Sequence, residues 1–507
     1  MAEGRAPLFI KVHEKDNVAI AVHDVPKGEV FEGIEVLDAI PQAHKMALCD
    51  IVADEEVMRY GVVIGYAKET IQKGKWINEH MLTLPTPPDA GELCTGRFTT
   101  PSRAVPTRTT FMGYSSPRSD YAGTRNLLAI HTTVQCVTGV LNVAVRKIRE
   151  EILQFYPYVD DVVPVNHAYG CGVAINAPEA AIPIRALQNL IENPNFGGEV
   201  MVVGLGCEKL TVEKLLRPED NTPENVIVLQ DKNGFADMVQ SIMDMARVKL
   251  ERLNKRRREE LPLSKFIMGM QCGGSDAFSG ITANPALGYA ADMLVNAGAT
   301  VLFSEVTEVR DGVHFLAERT ADETTCVKLS KEMLWYDRYL ELGQVDRDAN
   351  PTPGNKKGGL ANIVEKAMGS IAKSGNSPIV EVLSPGERPT KAGLIYAATP
   401  ASDIVCGPMQ LASGITLQVF STGRGTPYGL ATAPVLKVSS NSRLADQWQD
   451  LIDLDAGKIA TGESTIEETG KKLFDLIVMI ANGERKSLAE EFGLFNDFCI
   501  FNPAPIT

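Results

Sequence analysis

The sequence lacks the marks of several large protein classes. No stretch approaches the roughly 18 consecutive apolar residues of a membrane span, and charges stand where the apolar region of a secretory signal would lie. There is no GxxxxGK[ST] loop, and Lys209 takes the place of the third glycine that the turn GLGCEK would need to bind a dinucleotide. A membrane protein, a secreted protein and a nucleotide hydrolase are therefore disfavoured, and we expect the protein in the cytoplasm.

An excess of positive charge is also missing. The 50 Lys and Arg residues stand against 64 Asp and Glu residues, and the net charge of −14 argues against a surface that binds nucleic acid. With 44% hydrophobic and 22% charged residues, the composition is that of a globular protein with a sizeable core. The length of 507 residues predicts about three domains.

The nine cysteines are an odd number without CxxC spacing, which indicates thiols rather than a disulfide framework. Four of them end apolar runs beside glycine or small residues, where open α/β sheets form ligand crevices: Cys136, Cys171, Cys207 and Cys272. Taken singly, such cysteines are usually small buried hydrophobic residues. As a set they leave iron or iron–sulfur ligation open.

The pattern along the chain divides into four parts. Residues 1–82 hold short apolar runs between turn residues, which predicts a small β domain. Residues 83–120 contain six prolines and eight threonines, which predicts an extended linker. Strand-like runs then alternate with helical patterns over 121–260, the second domain, and 261–507, the third domain. We therefore expect an α/β multidomain protein with mostly parallel sheets.

Two segments make sharper predictions. Apolar residues recur near 3.6-residue spacing from 235 to 253, which predicts a long helix that closes the second domain. The strand KFIMGM, the turn QCGGSDAFSG, the helix NPALGYAADMLVNAG and the strand TVLFSEV predict a βαβ unit at the start of the third domain.

Four glycine-rich loops of the third domain carry the densest polar chemistry, at 272–276, 304–308, 353–359 and 421–429. Glycine lets backbone amides approach an anion, arginine binds a carboxylate with two hydrogen bonds, and Asp with Glu can hold a hard divalent cation. Together the loops predict a pocket for an acidic, metal-chelating substrate.

Histidine is scarce, and the third domain holds only His314. Because histidine most readily transfers protons near neutral pH, we expect His44, with His13 as second choice, to reach the third domain from the β domain. His167 and Lys356 come next if the β domain takes no part in catalysis.

Longer segments resemble the galactarate and altronate dehydratase family over nearly the whole chain. They include FIKVHEKDNVAIAV, NHAYGCGVAINAP, MQCGGSDAFSGITANPALGY, ANPTPGNKKGGLANIVEKAMGSIAKSG and VFSTGRGTPYG. The stretch VNHAYGCGVAINAP and the ending FNPAPIT favour the aldaric-acid branch over the altronate branch. One loop departs from the family pattern, since GYSSPRSDYAGTRN carries Tyr121 where members usually have a glycine.

This resemblance implies a β-clip (SAF-like) N-terminal domain, a second domain tied to homodimer formation, and a Rossmann-like C-terminal domain with the metal and substrate site. It implies iron(II)-dependent loss of water from a small diacid sugar, galactarate, to give 5-dehydro-4-deoxy-D-glucarate. The alternatives are a dehydratase for altronate or another sugar acid, and a sugar-acid-binding protein without catalysis.

The expected site residues fall into three groups. We expect mononuclear iron(II), Fe²⁺, at Asp276, Glu305, Glu308 and Cys272, because dehydration needs a Lewis acid with an exchangeable position. The expected substrate-binding residues are Arg424, Lys357, Arg310, Ser275 and Asn355, and the expected catalytic residues are His44, His13 and Lys356. An iron–sulfur cluster on Cys136, Cys171, Cys207 and Cys272 is the alternative cofactor.

Overall fold

The N-terminal part of the chain folds into a small β domain. The computed structural model describes residues 7–94, 102 and 104–506. The strands of this domain are β1 (Phe9–Ile10), β2 (Val18–Ala21), β3 (Val30–Phe31), β4 (Ile34–Glu35), β5 (Lys45–Ala47), β6 (Glu56–Arg59), β7 (Val62–Ala67), β8 (Trp76–Ile77) and β9 (Leu82–Thr83). Antiparallel pairing orders them as β1-β2-β5-β8, β6-β7-β9 and β3-β4.

The segment predicted as a linker packs against the third domain where the structure describes it. Ala90 and Leu93 are buried in the largest hydrophobic core, and Thr110–Gly113 forms strand β10. Cys94 is joined to Cys326 by a disulfide, so the prediction that the cysteines are all thiols is wrong for this pair. The two cysteines are 232 residues apart in the sequence, so only the fold brings them together. Residues 95–101 and 103 of the predicted linker lie outside the described residues.

The second domain is built on a parallel sheet of order β12-β11-β13-β14. Its strands are β11 (Leu127–Thr132), β12 (Asp161–Val165), β13 (Val202–Gly204) and β14 (Val226–Val228), and its helices are α1 (Thr138–Glu151), α2 (Ala181–Ile191), α3 (Val212–Leu215) and α4 (Phe235–Leu253). The predicted helix over 235–253 is confirmed. It buries Val239, Ile242, Ala246 and Leu250, because helical spacing aligns these residues on one face.

The third domain begins after a two-stranded antiparallel ribbon of β10 and β15 (Glu259–Pro262). Its strands are β16 (Ile267–Cys272), β17 (Thr300–Phe303), β18 (Ile379–Leu383), β19 (Leu394–Ala397), β20 (Leu417–Thr422), β21 (Val435–Ser439) and β22 (Leu454–Asp455). They form one parallel sheet of order β18-β19-β17-β16-β20-β21-β22. The expected α/β multidomain fold, with a small N-terminal β domain and a parallel C-terminal sheet, is confirmed.

The helices of the third domain surround this sheet. They are α5 (Ala283–Asn296), α6 (Val313–Ala317), α7 (Glu323–Leu342), α8 (Pro353–Lys357), α9 (Ile363–Ile371), α10 (Asp403–Ala412), α11 (Ser442–Gln447), α12 (Lys458–Thr461), α13 (Ile466–Ala481) and α14 (Leu488–Glu491). Helices α5 and α13 pack together, and α10 packs against α2 of the second domain. In the part of the chain that the structure describes, no helix is long and apolar enough to cross a membrane.

A buried ion cluster fixes the β domain to the third domain. Lys45 Nζ lies 2.9 Å from Glu365 Oε2, and Arg59 pairs with the other oxygen of the same carboxylate. Arg59 Nη2 also donates to the carbonyl oxygen of Ala277 at 2.6 Å. All three ionic side chains are almost fully buried, so the loss of Glu365 would leave two buried cations without a counter-ion. This cluster therefore sets the position of the β domain beside the glycine-rich loops.

Candidate active site

The four glycine-rich loops meet at the carboxyl edge of the seven-stranded sheet. Strands β16, β17 and β20 end there, as parallel strands of one sheet must. The amide nitrogen of Arg424 donates to the carbonyl oxygen of Gly274 at 2.8 Å, and the amide of Ala277 donates to that of Gly358 at 2.9 Å. The amide nitrogen of Cys272 lies 3.3 Å from Glu305 Oε2. The expected convergence of these loops is thus present.

An open cavity of about 350 Å³ lies between the β domain and the third domain. Its charged lining consists of Arg424, Lys357, Arg443, Asp276 and Asp24. Arg424 and Lys357 are exposed and have no ion-pair partner among the described residues, whereas Arg443 Nη1 lies 3.6 Å from Asp24 Oδ2. The cavity therefore offers two free cations to an anionic ligand.

The carboxylate of Asp276 forms part of the cavity wall. It accepts hydrogen bonds from Ser279 Oγ at 2.9 Å, Ser440 Oγ at 2.7 Å and Asn441 Nδ2 at 2.9 Å. Burial raises the pKa of Asp276, and these hydrogen bonds act in the opposite direction. A Cβ on Gly423 would lie 2.1 Å from Asp276 Cγ, so a glycine is needed for this carboxylate to pack against the loop of Arg424.

A second cluster lies deeper, where β16 and β17 end. Cys272, Glu305 and Glu308 each place a ligand atom within 4.8 Å of the others, and no other such trio occurs among the described residues. All three residues are at most 2% exposed. Glu305 adopts a φ of 78°, a conformation that is strained for a residue other than glycine and is typical of functional sites.

Two lysines balance these carboxylates. Lys373 Nζ lies 2.7 Å from Glu305 Oε2 and 3.1 Å from Cys272 Sγ, and Lys366 Nζ lies 2.7 Å from Glu308 Oε1. Helix α9 and the turn after it carry both ammonium groups. Burial and repulsion by Glu308 raise the pKa of Glu305. Burial would also raise the pKa of Glu308, but the two lysines hold it below its usual value.

The donor set of this cluster fits a divalent cation. Two carboxylates and a thiol are suitable ligands for iron(II), and Glu305 Oε1 is buried without a hydrogen-bond partner in the described part of the chain. Burial and the charge of Glu308 raise the pKa of Cys272 to about 12, so a cation bound to its sulfur would displace a proton. Lys373 already contacts two of the three donors and would compete with the cation.

Asp403 is a further member of this region that the sequence did not reveal. It begins helix α10, and burial followed by repulsion from Glu308 raises the pKa of Asp403 to about 6. A Cβ on Gly273 would lie 2.5 Å from both carboxylate oxygens of Asp403, which places this acid against the loop after β16. The sequence signal that could have revealed Asp403 is the strand–loop–helix pattern LIYAATPASDIV. This pattern can be used only if the short strand β19 is recognised first.

Of the two expected histidines, His44 contacts the third domain. His44 Nε2 lies 3.3 Å from the carbonyl oxygen of Lys357, and Trp76 Nε1 lies 3.1 Å from His44 Nδ1. Burial lowers the pKa of His44, so the ring is neutral near pH 7. The exposed His13 instead accepts a hydrogen bond from the amide of Lys15 within the β domain. Lys356 is half-buried on α8, next to Lys357.

The other expected residues are dispersed. Asp276 belongs to the cavity and not to the trio of Cys272, Glu305 and Glu308. Arg310 lies elsewhere, because its Nε is 3.0 Å from Asp337 Oδ2 and its Nη1 donates to the carbonyl oxygen of Pro88.

Ser275 and Asn355 are buried between the cavity and the deeper cluster. Asn355 Nδ2 donates to the carbonyl oxygen of Ser275 at 2.9 Å, and Asn355 Oδ1 lies 3.3 Å from Lys366 Nζ. Asn355 therefore connects the loop that follows β16 with one of the two lysines that balance the carboxylates.

The four cysteines expected to hold the alternative iron–sulfur cluster do not lie together, because one is in the third domain and three are in the second. Cys272 is buried, and its hydrogen-bond partners all belong to the third domain. Cys136, Cys171 and Cys207 are exposed in the second domain.

Three family descriptions match successive parts of the chain. They are the altronate/galactarate dehydratase SAF domain at residues 7–85, the D-galactarate dehydratase/altronate hydrolase second domain at 113–254, and the D-galactarate/altronate dehydratase C-terminal domain at 263–506. The galactarate dehydratase (L-threo-forming) of Escherichia coli strain K12 is 55% identical over 510 residues, which cover 98% of this chain and 97% of that protein. The chain belongs to the galactarate/altronate dehydratase family.

Other members of the family are more distant. The altronate dehydratase of Escherichia coli strain K12 is 33% identical, covering 97% of this chain and 98% of its own. The altronate dehydratase of Bacillus subtilis strain 168 is 32% identical, and the match covers 94% of this chain and 95% of that protein. The resemblance found in the sequence segments is thereby confirmed over nearly the full length of the chain.

Proposed function

We propose that this chain is a hydro-lyase that removes water from galactarate to give 5-dehydro-4-deoxy-D-glucarate. The observation that carries the proposal is its 55% identity, over 98% of the chain, to a curated galactarate dehydratase. The altronate dehydratases, at 33% and 32% identity, support altronate less well as the substrate.

The open cavity suits a diacid. Its volume of about 350 Å³ lies in the range of small-molecule sites, roughly 300–1,000 Å³. A dianionic substrate approaches a protein of net charge −14 against an unfavourable field, so local cations must hold its carboxylates. Arg424 and Lys357 are the residues we assign to this role, and we assign Asp276 to the hydroxyl groups of the substrate.

The deeper cluster provides the polar chemistry of dehydration. A C–H bond beside an ionised carboxylate is very weakly acidic, and Fe²⁺ on Cys272, Glu305 and Glu308 would supply Lewis acidity that stabilises the charge formed after proton removal. Lys366 and Lys373 keep the two carboxylates in place.

Proton transfer needs groups that titrate near neutral pH or stay uncharged there. The neutral ring of His44 is the first candidate for proton transfer, as base or acid, with His13 and Lys356 as further candidates. Asp403, whose pKa burial raises to about 6, can take up or release a proton in the same pH range.

Turnover by the purified protein tests the proposal. With iron(II) under reducing conditions, we expect keto-acid formation from galactarate to be faster than from glucarate or altronate. Fastest turnover of altronate would assign the chain to the other branch of the family. Saturable binding of galactarate without product would leave only a sugar-acid-binding protein.

We also propose that the protein is a homodimer formed through the second domain, as the family resemblance implies. Light scattering on the purified full-length chain should then give twice the mass of 55.0 kDa. A monomeric mass at working concentrations would overturn this proposal and leave the proposed reaction unaffected.

A further inference from the structure

Three free cysteines occupy one edge of the second domain. Cys136, Cys171 and Cys207 lie on the loops that follow β11, β12 and β13, and all three are exposed. These strands are parallel neighbours, so their loops leave the sheet on the same side.

The three loops contact one another directly. Thr133 Oγ1 donates to Glu208 Oε1, and the amide of Lys209 donates to the carbonyl oxygen of Gly170 at 3.0 Å. A Cβ on Gly170 would lie 2.0 Å from the carbonyl oxygen of Thr133, so only glycine permits this approach. Each contact residue is within three positions of one of the cysteines. The cysteines therefore surround a single junction of loops.

The thiols are the available donors at this junction. Glu208 Oε1 accepts from the amide of Leu205 at 3.1 Å as well as from Thr133, and Glu208 Oε2 accepts from the amide of Gly206 at 2.6 Å. Both oxygens of this carboxylate are thus in use. Tyr169 lies two positions before Cys171 and buries a hydroxyl group without a hydrogen-bond partner in the described residues. The junction therefore combines three exposed thiols with a carboxylate whose oxygens are both occupied.

The spacing of the thiols does not suit a single ion bound by all three. The trio of Cys272, Glu305 and Glu308 is the only group within the described ranges whose ligand atoms all lie within 4.8 Å of one another. The thiols of the second domain are therefore farther apart than the ligands of one ion. In an iron–sulfur cluster, by contrast, each thiolate binds a different iron, which allows a wider separation.

We propose that Cys136, Cys171 and Cys207 hold an iron–sulfur cluster at this junction, separate from the site at Cys272. On binding, each thiol loses its proton and its sulfur bonds to one iron. Three thiolates on a four-iron cluster leave one iron without a protein ligand, free to bind a carboxylate or hydroxyl oxygen. The proposal stands independently of the proposed reaction, because it rests on the loop contacts of the second domain.

Chemical analysis of anaerobically purified full-length protein tests the proposal. In wild-type protein from iron-supplied cells we expect acid-labile sulfide and iron together, with the visible absorption of an iron–sulfur cluster. The triple variant Cys136→Ser, Cys171→Ser, Cys207→Ser should lose nearly all of the sulfide and the absorption band. Cys272→Ser and the double variant Cys49→Ser, Cys499→Ser are matched controls, since they remove thiols elsewhere, and both should keep the sulfide.

Several outcomes would overturn the assignment. Absence of sulfide from wild-type protein would do so, and so would full retention of sulfide in the triple variant. Zinc without sulfide that disappears in the triple variant would replace the cluster with a different thiolate site. If the circular dichroism spectrum shows that the triple variant is unfolded, Cys136→Ser alone provides the test, with loss of at least half of the sulfide expected and unchanged sulfide contradicting the proposal.

Discussion

The two parallel sheets of this protein place different chemistry at their carboxyl edges. At the seven-stranded sheet, Glu305 and Glu308 are charged groups already paired with lysines. At the four-stranded sheet two histidines are buried as neutral groups, because burial lowers the pKa of His131 to about 3 and that of His167 to about 4. The first edge is thus organised around carboxylates compensated by lysines, and the second contains buried neutral histidines.

The largest effect on activity should come from the charged edge. We expect Glu308→Gln to lower kcat on galactarate by about 10³-fold, because it removes a ligand oxygen and leaves Lys366 buried beside a neutral group. The control is Glu332→Gln, a half-buried carboxyl group of the same domain that bonds to Ser384. Steady-state kinetics of the two variants provide the test, and near-normal turnover by Glu308→Gln would remove this cluster from the mechanism.

The next effect tests the contact between the β domain and this edge. His44→Ala should lower kcat by about 10²-fold at unchanged iron content, the usual contribution of one proton-transfer group. The matched control is His80→Ala, whose side chain in the same domain is 86% exposed. A rise in KM without a change in kcat would instead make His44 a residue that positions Lys357.

A smaller effect is expected from the cavity. Arg424→Ala should raise KM for galactarate by about 10-fold to 10²-fold with little change in kcat, because a hydrogen bond to a charged group contributes about 1.5–3 kcal/mol in ground and transition states alike. Arg247→Ala, which removes an exposed arginine from α4, is the control. Unchanged KM would place the substrate elsewhere.

The smallest effect concerns the stability that the buried histidine His131 of the four-stranded sheet contributes. The pKa of His131 is lower in the folded protein than its usual value of 6.5, so only the unfolded chain takes up this proton as the pH falls from 6.5. The folded state therefore loses stability toward acid, by at most about 2 kcal/mol between pH 6.5 and pH 5 for this histidine.

Urea denaturation at the two pH values measures this loss. In His131→Gln the free energy of unfolding should depend less on pH than in the wild type, whereas His80→Gln should leave the dependence unchanged. An identical dependence in His131→Gln and the wild type would show that His131 is not buried as a neutral group.

Local patterns predicted the long elements of the fold and missed some short buried strands. Helix α4 was predicted because nineteen residues repeat a helical period, whereas β19 has four residues and β21 has five. Strand β21 also contains Lys437, which resembles a surface residue in the sequence but is fully buried. Burial lowers the pKa of Lys437 to about 8, a cost that the sequence pattern does not show.

The sequence predicted the loops that form the candidate site but not the ion pairs that its residues make. Cys272, Glu305 and Glu308 could be named because Cys272 ends one strand of the sheet and the two glutamates lie in the loop that follows the neighbouring strand. Lys373 was missed, since a lysine near the end of a helix usually faces solvent. Arg310 was assigned to the substrate, yet its partner Asp337 lies on a helix whose packing no local pattern reveals.

The disulfide between Cys94 and Cys326 determines how the molecule would come apart. Its partners are 232 residues apart, so it closes a covalent ring that contains the whole second domain and the first part of the third. One cut in the peptide chain within this ring opens the ring but leaves the two fragments joined through sulfur. The β domain lies outside this ring, so one cut between residues 83 and 93 frees it covalently with the disulfide intact, whereas a cut within the ring separates no part of the chain until the disulfide is also broken.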